Sequence, residues 1–202
     1  MKMSFLDRIL FLITGLLAAY QIAVGINGLN TIPTIAYTIA FGILLVTGLL
    51  IIILGVEILD LPVVVILSTI IPLSLATGLV WQYLPSIRTL YLIFTVIGFL
   101  AIVISRARPM KNKLPVLVLA VVHAIAGLTI FLLPIILVFN GRTTPGFALV
   151  SIGGALIGLG GLLLALLKAG KPILSREAIF RIFPVLMLMM TFAFVAGFAL
   201  AS

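Results

Sequence analysis

Seven apolar runs, each about as long as a bilayer is thick, fill this chain and leave little sequence between them. A hydrocarbon core of roughly 30 Å takes about twenty residues of helix. Punctuated by Gly, Pro and charged residues, the runs are Ile9 to Leu29, Ile32 to Leu59, Val63 to Leu84, Ile87 to Ser105, Leu114 to Phe139, Gly146 to Leu167 and Ala178 to Ala201. Backbone groups in lipid must pair within the protein, so a spanning run is either a helix or a strand of a closed barrel. Barrel strands alternate polar and apolar residues in short segments, and these runs are apolar throughout. The sequence therefore predicts an all-α polytopic membrane protein with seven transmembrane helices, forming one domain over residues 1–202.

Composition removes a soluble alternative. Hydrophobic residues make up 64% of the 202 and charged ones 8%, where a soluble domain carries about a quarter charged. The connections at Asn27-Gly28, Asp60-Leu61-Pro62, Leu84-Pro85-Ser86, Arg108-Pro109, Asn140-Gly141 and Gly170-Lys171-Pro172 each hold a helix breaker or an αL-tolerant residue. The first run follows Lys2 and Arg8 but is longer than the apolar stretch of a signal peptide, so it is read as a retained helix. Loops this short leave any chemistry to the helices themselves or to partner subunits.

Twelve Lys and Arg against four acids give a formal charge of +8. In a soluble chain that excess would suggest a nucleic-acid surface. Here the cations lie between apolar runs, where they set topology and meet lipid head groups, and no nucleic-acid partner is expected. With the N-terminus inside, one face collects Lys2, Arg8, Arg106, Arg108, Lys111, Lys113, Lys168, Lys171, Arg176 and Arg181, and the other holds Arg88 and Arg142. That asymmetry predicts a cell-membrane protein with a cytoplasmic N-terminus and an external C-terminus. Trp81, Tyr83 and Tyr91 flank the predicted outer loop, where amphipathic rings favour the head-group layer. The chain has no cysteine, which excludes disulfides, zinc-thiolate clusters, iron-sulfur centres and thiol nucleophiles. Few Asn and Gln together with no Cys is a pattern of thermophilic proteins.

Shifting the chain by 112 positions aligns Gly15 with Gly127, Thr31 with Thr143, Pro33 with Pro145, Ala36 with Ala148, Gly42 with Gly154, Gly48 with Gly160 and Pro72 with Pro184. The expected plan is a 3+1+3 parallel repeat, with halves 9–84 and 114–201 joined by helix 87–105. Such a plan is similar to that of SWEET-type sugar transporters, a parallel-repeat family. The likeness is confined to the helix plan, since that family's Pro-Gln signature has no counterpart and its usual orientation is the reverse. No function is carried across.

In lipid, small residues that let backbones approach closely act as the packing code. Ser151, Gly154, Gly158, Gly161 and Ala165 form such a stripe on helix six, Ala120, Ala124 and Gly127 one on helix five, and Gly42 and Gly48 contribute on helix two. The expectation is mainly tight intramolecular packing, with a docking face for another subunit as the alternative. His123 is the one histidine, about 14 Å into its span at 1.5 Å per residue. Intramembrane ionisable groups point to function, here contact with a quinone carbonyl, a proton relay or haem ligation. The structural alternative is a neutral ring bonded to a backbone carbonyl or a neighbouring hydroxyl. A haem would need Met187, Met189 or Met190, or a ligand from elsewhere, because a second histidine is lacking. No cofactor is expected; a haem or quinone near His123 is the alternative, with haem the less favoured of the two.

Glu57 and Asp60 end the second run, where interfacial ion pairs with Arg106, Arg108 or Lys111 are expected and a cation-entry site is the alternative. Arg106, Arg108, Lys111 and Lys113, and Lys168, Lys171, Arg176 and Arg181, read as contacts to anionic lipid or a partner. Ser175 is placed to cap helix seven, with Glu177 four residues before Arg181. No Walker loop, HExxH, Gly-x-Ser-x-Gly elbow, Schiff-base lysine in helix seven or metal-spaced carboxylates occur. The sequence thus reads as a non-enzymatic membrane subunit packed within a larger membrane protein complex, for which a respiratory, energy-converting assembly is the expected type, with lipid or quinone at its edge. The alternative is a small transporter lined by Gln21, Thr38, Ser74, Thr77 and His123.

Overall fold

A computed structural model describes residues 3–26, 28–107, 114–168 and 170–201. Its described residues form seven α-helices, each long and apolar enough to cross a membrane, and no strand. They are α1 (Phe5–Val24), α2 (Thr31–Leu54), α3 (Pro62–Tyr83), α4 (Arg88–Ala107), α5 (Leu114–Phe139), α6 (Ala148–Lys168) and α7 (Arg176–Ala199). The chain is an integral membrane protein of the all-helical class.

Helix ends follow local chemistry more closely than hydropathy. α1 starts four residues before the predicted Ile9, because Ser4 and Asp7 form a reciprocal capping box: Asp7 N donates to Ser4 Oγ at 3.1 Å, and Ser4 N donates to Asp7 Oδ2 at 2.8 Å. It stops at Val24, before the predicted Leu29, where Gly25 turns to φ +68°. α2 likewise ends at Leu54 and not Leu59, since Gly55 takes φ +87° and Val56–Asp60 continue as a separate 3-10 turn. Val56, Ile58 and Leu59 of that turn are buried and pin it against the bundle. α3 begins with Pro62 at its first turn, where the missing N–H costs no helical bond. α6 starts at Ala148 after a short 3-10 turn, Pro145–Phe147. The predicted cap of α7 is present, with Ala178 N donating to Ser175 Oγ at 3.2 Å, and the helix begins at Arg176.

Six helices close into a ring. α1 packs between α2 and α7, α3 against α2 and α5, and α6 between α5 and α7, while α4 lies outside in the groove between α3 and α5. The middle of the ring is apolar, filled by Phe11, Phe41, Leu44, Leu75, Ile130 and Phe194. Phe198 of α7 gathers Tyr37, Phe41 and Phe147 around it, at ring-centroid distances of 4.7, 6.2 and 6.2 Å. Leu6, Leu16, Ile53, Leu90, Ile97 and Leu117 point outward, as an apolar surface bathed in lipid requires.

The two ends of the ring differ. On one, here the basic side, lie the start of α1, the Val56–Asp60 turn, the ends of α4 and α6 and the starts of α5 and α7. The other carries a set of side-chain hydrogen bonds, all but one of them between elements. Tyr37 OH donates to Gln82 Oε1 at 3.3 Å, Gln82 Nε2 donates to Tyr83 OH at 3.2 Å, and Arg142 Nη2 donates to Tyr83 O at 3.2 Å. Thr77 and Thr95 hydroxyls meet at 2.8 Å, Tyr91 OH donates to Thr129 Oγ1 at 3.2 Å, and Thr144 Oγ1 donates to Leu200 O. With apolar burial no longer a driving force between helices in lipid, such bonds and close packing hold the bundle.

Candidate functional site

Glycines on α6 sort into three directions. A Cβ at Gly153 would lie 2.6 Å from the Phe194 ring, and one at Gly160 would lie 3.0 Å from Leu186, so both glycines face α7. A Cβ at Gly154 would lie 2.8 Å from Ile130 Cγ2 and 3.1 Å from Phe131 N, so Gly154 faces α5. Gly158 and Gly161 follow Gly154 by four and seven residues, on the same helical face. Yet a Cβ at either would meet nothing within 4 Å, and Ala165 beyond them is exposed. The predicted packing stripe is therefore divided. Ser151 and Gly154 are buried in the bundle, and Gly158, Gly161 and Ala165 lie open on its surface.

α5 shows the same division at matching depth. Val122, Ala126, Ile130 and Leu133 are buried, whereas Ala120 and Ala124 are exposed and a Cβ at Gly127 would meet nothing within 4 Å. α5 and α6 are antiparallel neighbours in contact at Ile130 and Gly154. Toward the basic side from that contact run Gly127, Ala124 and Ala120 on one helix and Gly158, Gly161 and Ala165 on the other. The result is a smooth face of small residues in that half of the bundle, opening onto lipid.

His123 borders this face, half-buried, with Nδ1 at 3.1 Å from Leu119 O one turn earlier. A carbonyl only accepts, so Nδ1 carries the hydrogen and a neutral ring presents Nε2 as an acceptor. A quinone carbonyl would need a proton on Nε2 as well. The neutral ring can receive a hydroxyl, indole or quinol donor. Met187 and Met190 are buried on α7, which packs on α1 and α6, while His123 belongs to α5; the geometry does not bring them together as a ligand pair.

The remaining predicted site residues scatter along the basic side. Glu57 is exposed in the 3-10 turn and shares a pocket with Arg176, Glu177 and Phe180. Asp60 ends that turn, and its side chain lies outside the described part of the structure, as does that of Lys168 at the end of α6. Arg108, Lys111 and Lys113 lie outside the described residues. Arg106 is half-buried in the last turn of α4, its Nε buried and making no hydrogen bond. Lys171 and Arg181 are exposed. No group of three metal-ligating side chains occurs among the described residues.

The residues weighed as a transport path do not converge. Gln21 and Thr38 line one cleft of about 20 Å³ between α1 and α2, room for a single water. Gln21 Nε2 donates to Gly25 O within α1, and Thr77 is bonded to Leu73 O and Thr95. Ser74 is half-buried on α3, and His123 stands apart on α5. Sequence reasoning did not single out Tyr37, Gln82 or Arg142 as a connected set. The available signal was two polar side chains, Tyr37 and Gln82, inside or at the end of apolar runs, each needing a partner in lipid. No protein-family model, curated protein or solved structure matches this chain.

Proposed function

We propose that this protein is a non-catalytic subunit of a larger membrane complex and that its α5–α6 face seats a transmembrane helix of a partner subunit. One observation carries this reading: a Cβ added at Gly127, Gly158 or Gly161 would meet no atom of the described residues within 4 Å, although these glycines continue faces that are tightly packed elsewhere. Small residues permit close helix approach, and here no helix of this chain uses the space. His123 Nε2 at the border would accept from a Ser, Thr, Tyr or Trp on the incoming helix, with lipid or a quinol hydroxyl as the other fitting donor. On this reading the basic side faces the cytoplasm, as its cations favour.

Native purification without crosslinker tests the proposal. A second membrane chain should co-purify with the wild type and be lost from a Gly158→Leu, Gly161→Leu variant that keeps its detergent stability. A wild-type particle containing this chain alone would overturn it.

We also propose that the halves arose by duplication. A two-fold exchanging α1 with α5, α2 with α6 and α3 with α7 would carry the α1–α7 contact onto the α5–α3 contact and α2–α3 onto α6–α7. That pattern of neighbours supports the proposal, as do the internal prolines Pro72 and Pro184 at the 112-residue shift. The large buried side chains Phe11, Phe41, Leu75 and Phe194 leave the bundle interior mainly apolar, which favours the subunit reading over a transporter.

A further inference from the structure

The end of α1 and the first turns of α2 enclose a cleft of about 20 Å³, at the end of the bundle away from the basic side. Ile22, Ile26, Leu29 and Phe41 make most of its wall apolar, and Gln21 and Thr38 bring polar groups to it. None of the side chains that line it is charged.

Gln21 is only 6% exposed, and one bond orients its amide: Nε2 donates to Gly25 O at 2.9 Å. A carbonyl only accepts, so the nitrogen is fixed on Gly25 and the amide oxygen is turned elsewhere. Oε1 keeps its lone pairs, with no donor to it among the described residues. Thr38, exposed at the edge of the cleft, is the matching case. Thr14, Thr34, Thr77, Thr129 and Thr191 each donate a hydroxyl to the carbonyl four residues earlier. The Thr38 hydroxyl makes no such bond within the described residues.

Polar groups left unpaired in or beside hydrocarbon are costly, and two of them on one cleft call for a shared partner. A cavity holds a water when it has about 10–15 Å³ of room and two to four polar partners. This one has the room for a single water and offers Gln21 Oε1 and Thr38 Oγ1 as partners. It is too small for a head group or an acyl chain, and its uncharged wall gives an ion no countercharge.

We infer that this cleft binds one ordered water, which accepts the Thr38 hydroxyl and donates to Gln21 Oε1, tying the end of α1 to α2. A bridging water of this kind is nearly as good in enthalpy as a direct bond. The site belongs to the first half of the chain alone. At the 112-residue shift Gln21 and Thr38 fall on Leu133 and Val150, both buried and apolar. Gln21→Leu and Thr38→Val are accordingly the variants to use.

Two measurements on the full-length protein test the inference. The chain has two glutamines, Gln21 and Gln82, so nitrogen-15 labelling of glutamine side chains gives two amide signals, and Gln21→Leu assigns them. In lipid bilayers, solid-state spectra with magnetisation transferred from water should show a water contact at the buried Gln21 amide. Thr38→Val should weaken or remove that contact. The second measurement is the unfolding equilibrium in detergent. Thr38→Val alone should raise the unfolding constant by up to about tenfold, the worth of one hydrogen bond. The double variant should match Gln21→Leu alone, because the water it would lose has already gone, whereas in a dry cleft the two effects multiply. A wild-type Gln21 amide silent to water, a contact unaltered by Thr38→Val, or multiplying effects would each overturn the site.

Discussion

Gly154 of α6 rests directly on the peptide between Ile130 and Phe131 of α5, so close that a Cβ would come within 2.8 Å of Ile130 Cγ2 and 3.1 Å of the Phe131 nitrogen. Backbone atoms cannot move aside as a flexible side chain can. Gly154→Ala should therefore cost about 1–3 kcal/mol, the usual range for overpacking. One turn away, Gly158→Ala meets open space and should be neutral within about 0.5 kcal/mol. Thermal unfolding of the two variants in the same detergent separates them. An equal loss in both would mean that Gly158 is covered as closely as Gly154.

The second tight contact is between Gly78 of α3 and Tyr37 of α2, where an added Cβ would lie 2.5 Å from the ring. Tyr37 is 3% exposed and held on both sides, by Phe198 and by the hydroxyl bond to Gln82. Gly78→Ala should displace the ring and disturb both contacts at once. Tyr37→Phe removes only the hydroxyl, and bonds of this kind between helices are worth about 0.6 kcal/mol on average and up to about 1.7. Unfolding in detergent should rank Gly78→Ala well below Tyr37→Phe, and the reverse order would show that the hydroxyl bond outweighs the packing.

The number of helices was legible because lipid imposes a length on each span, and no residue had to be placed against another to count them. Helix ends were less legible: Gly25 and Gly55 terminate α1 and α2 by adopting positive φ, inside runs whose hydropathy continues past them. The small-residue stripe on α6 was visible as a period but not as a direction. Ser151 and Gly154 are buried and Gly158 is open because neighbouring helices cover only part of the stripe, and which part they cover depends on how the helices pack together. Likewise Glu57 and Arg176 are 119 positions apart, and only closure of the ring through α1 and α7 brings their elements to one end.

An odd number of spans fixes the two termini on opposite faces, whichever face is cytoplasmic. With the basic side inward, a protease-accessible tag at the N-terminus should be cut only in permeabilised cells and one at the C-terminus in intact cells. Tags accessible from the same compartment would remove one span from the count. Both tags responding in the opposite sense would keep the fold and reverse the orientation drawn from the cations.

The hydrogen bond from His123 to Leu119 O makes a statement about tautomers that can be measured directly. Neutral imidazole carries its proton on either ring nitrogen, and the nitrogen bonded to a carbonyl must be the protonated one. Nitrogen-15 spectra of the histidine-labelled protein should show a protonated Nδ1 and a bare Nε2, reporting on this ring alone because the chain has a single His. The isolated protein should keep that pattern, with Nε2 shifting only when a donor arrives from a partner helix or a quinol. His123→Leu should leave the fold intact and weaken partner retention, since the side chain is half-buried and its one bond lies within its own helix. A spectrum with the proton on Nε2 would reverse the polarity of the site, making it a donor suited to a quinone carbonyl.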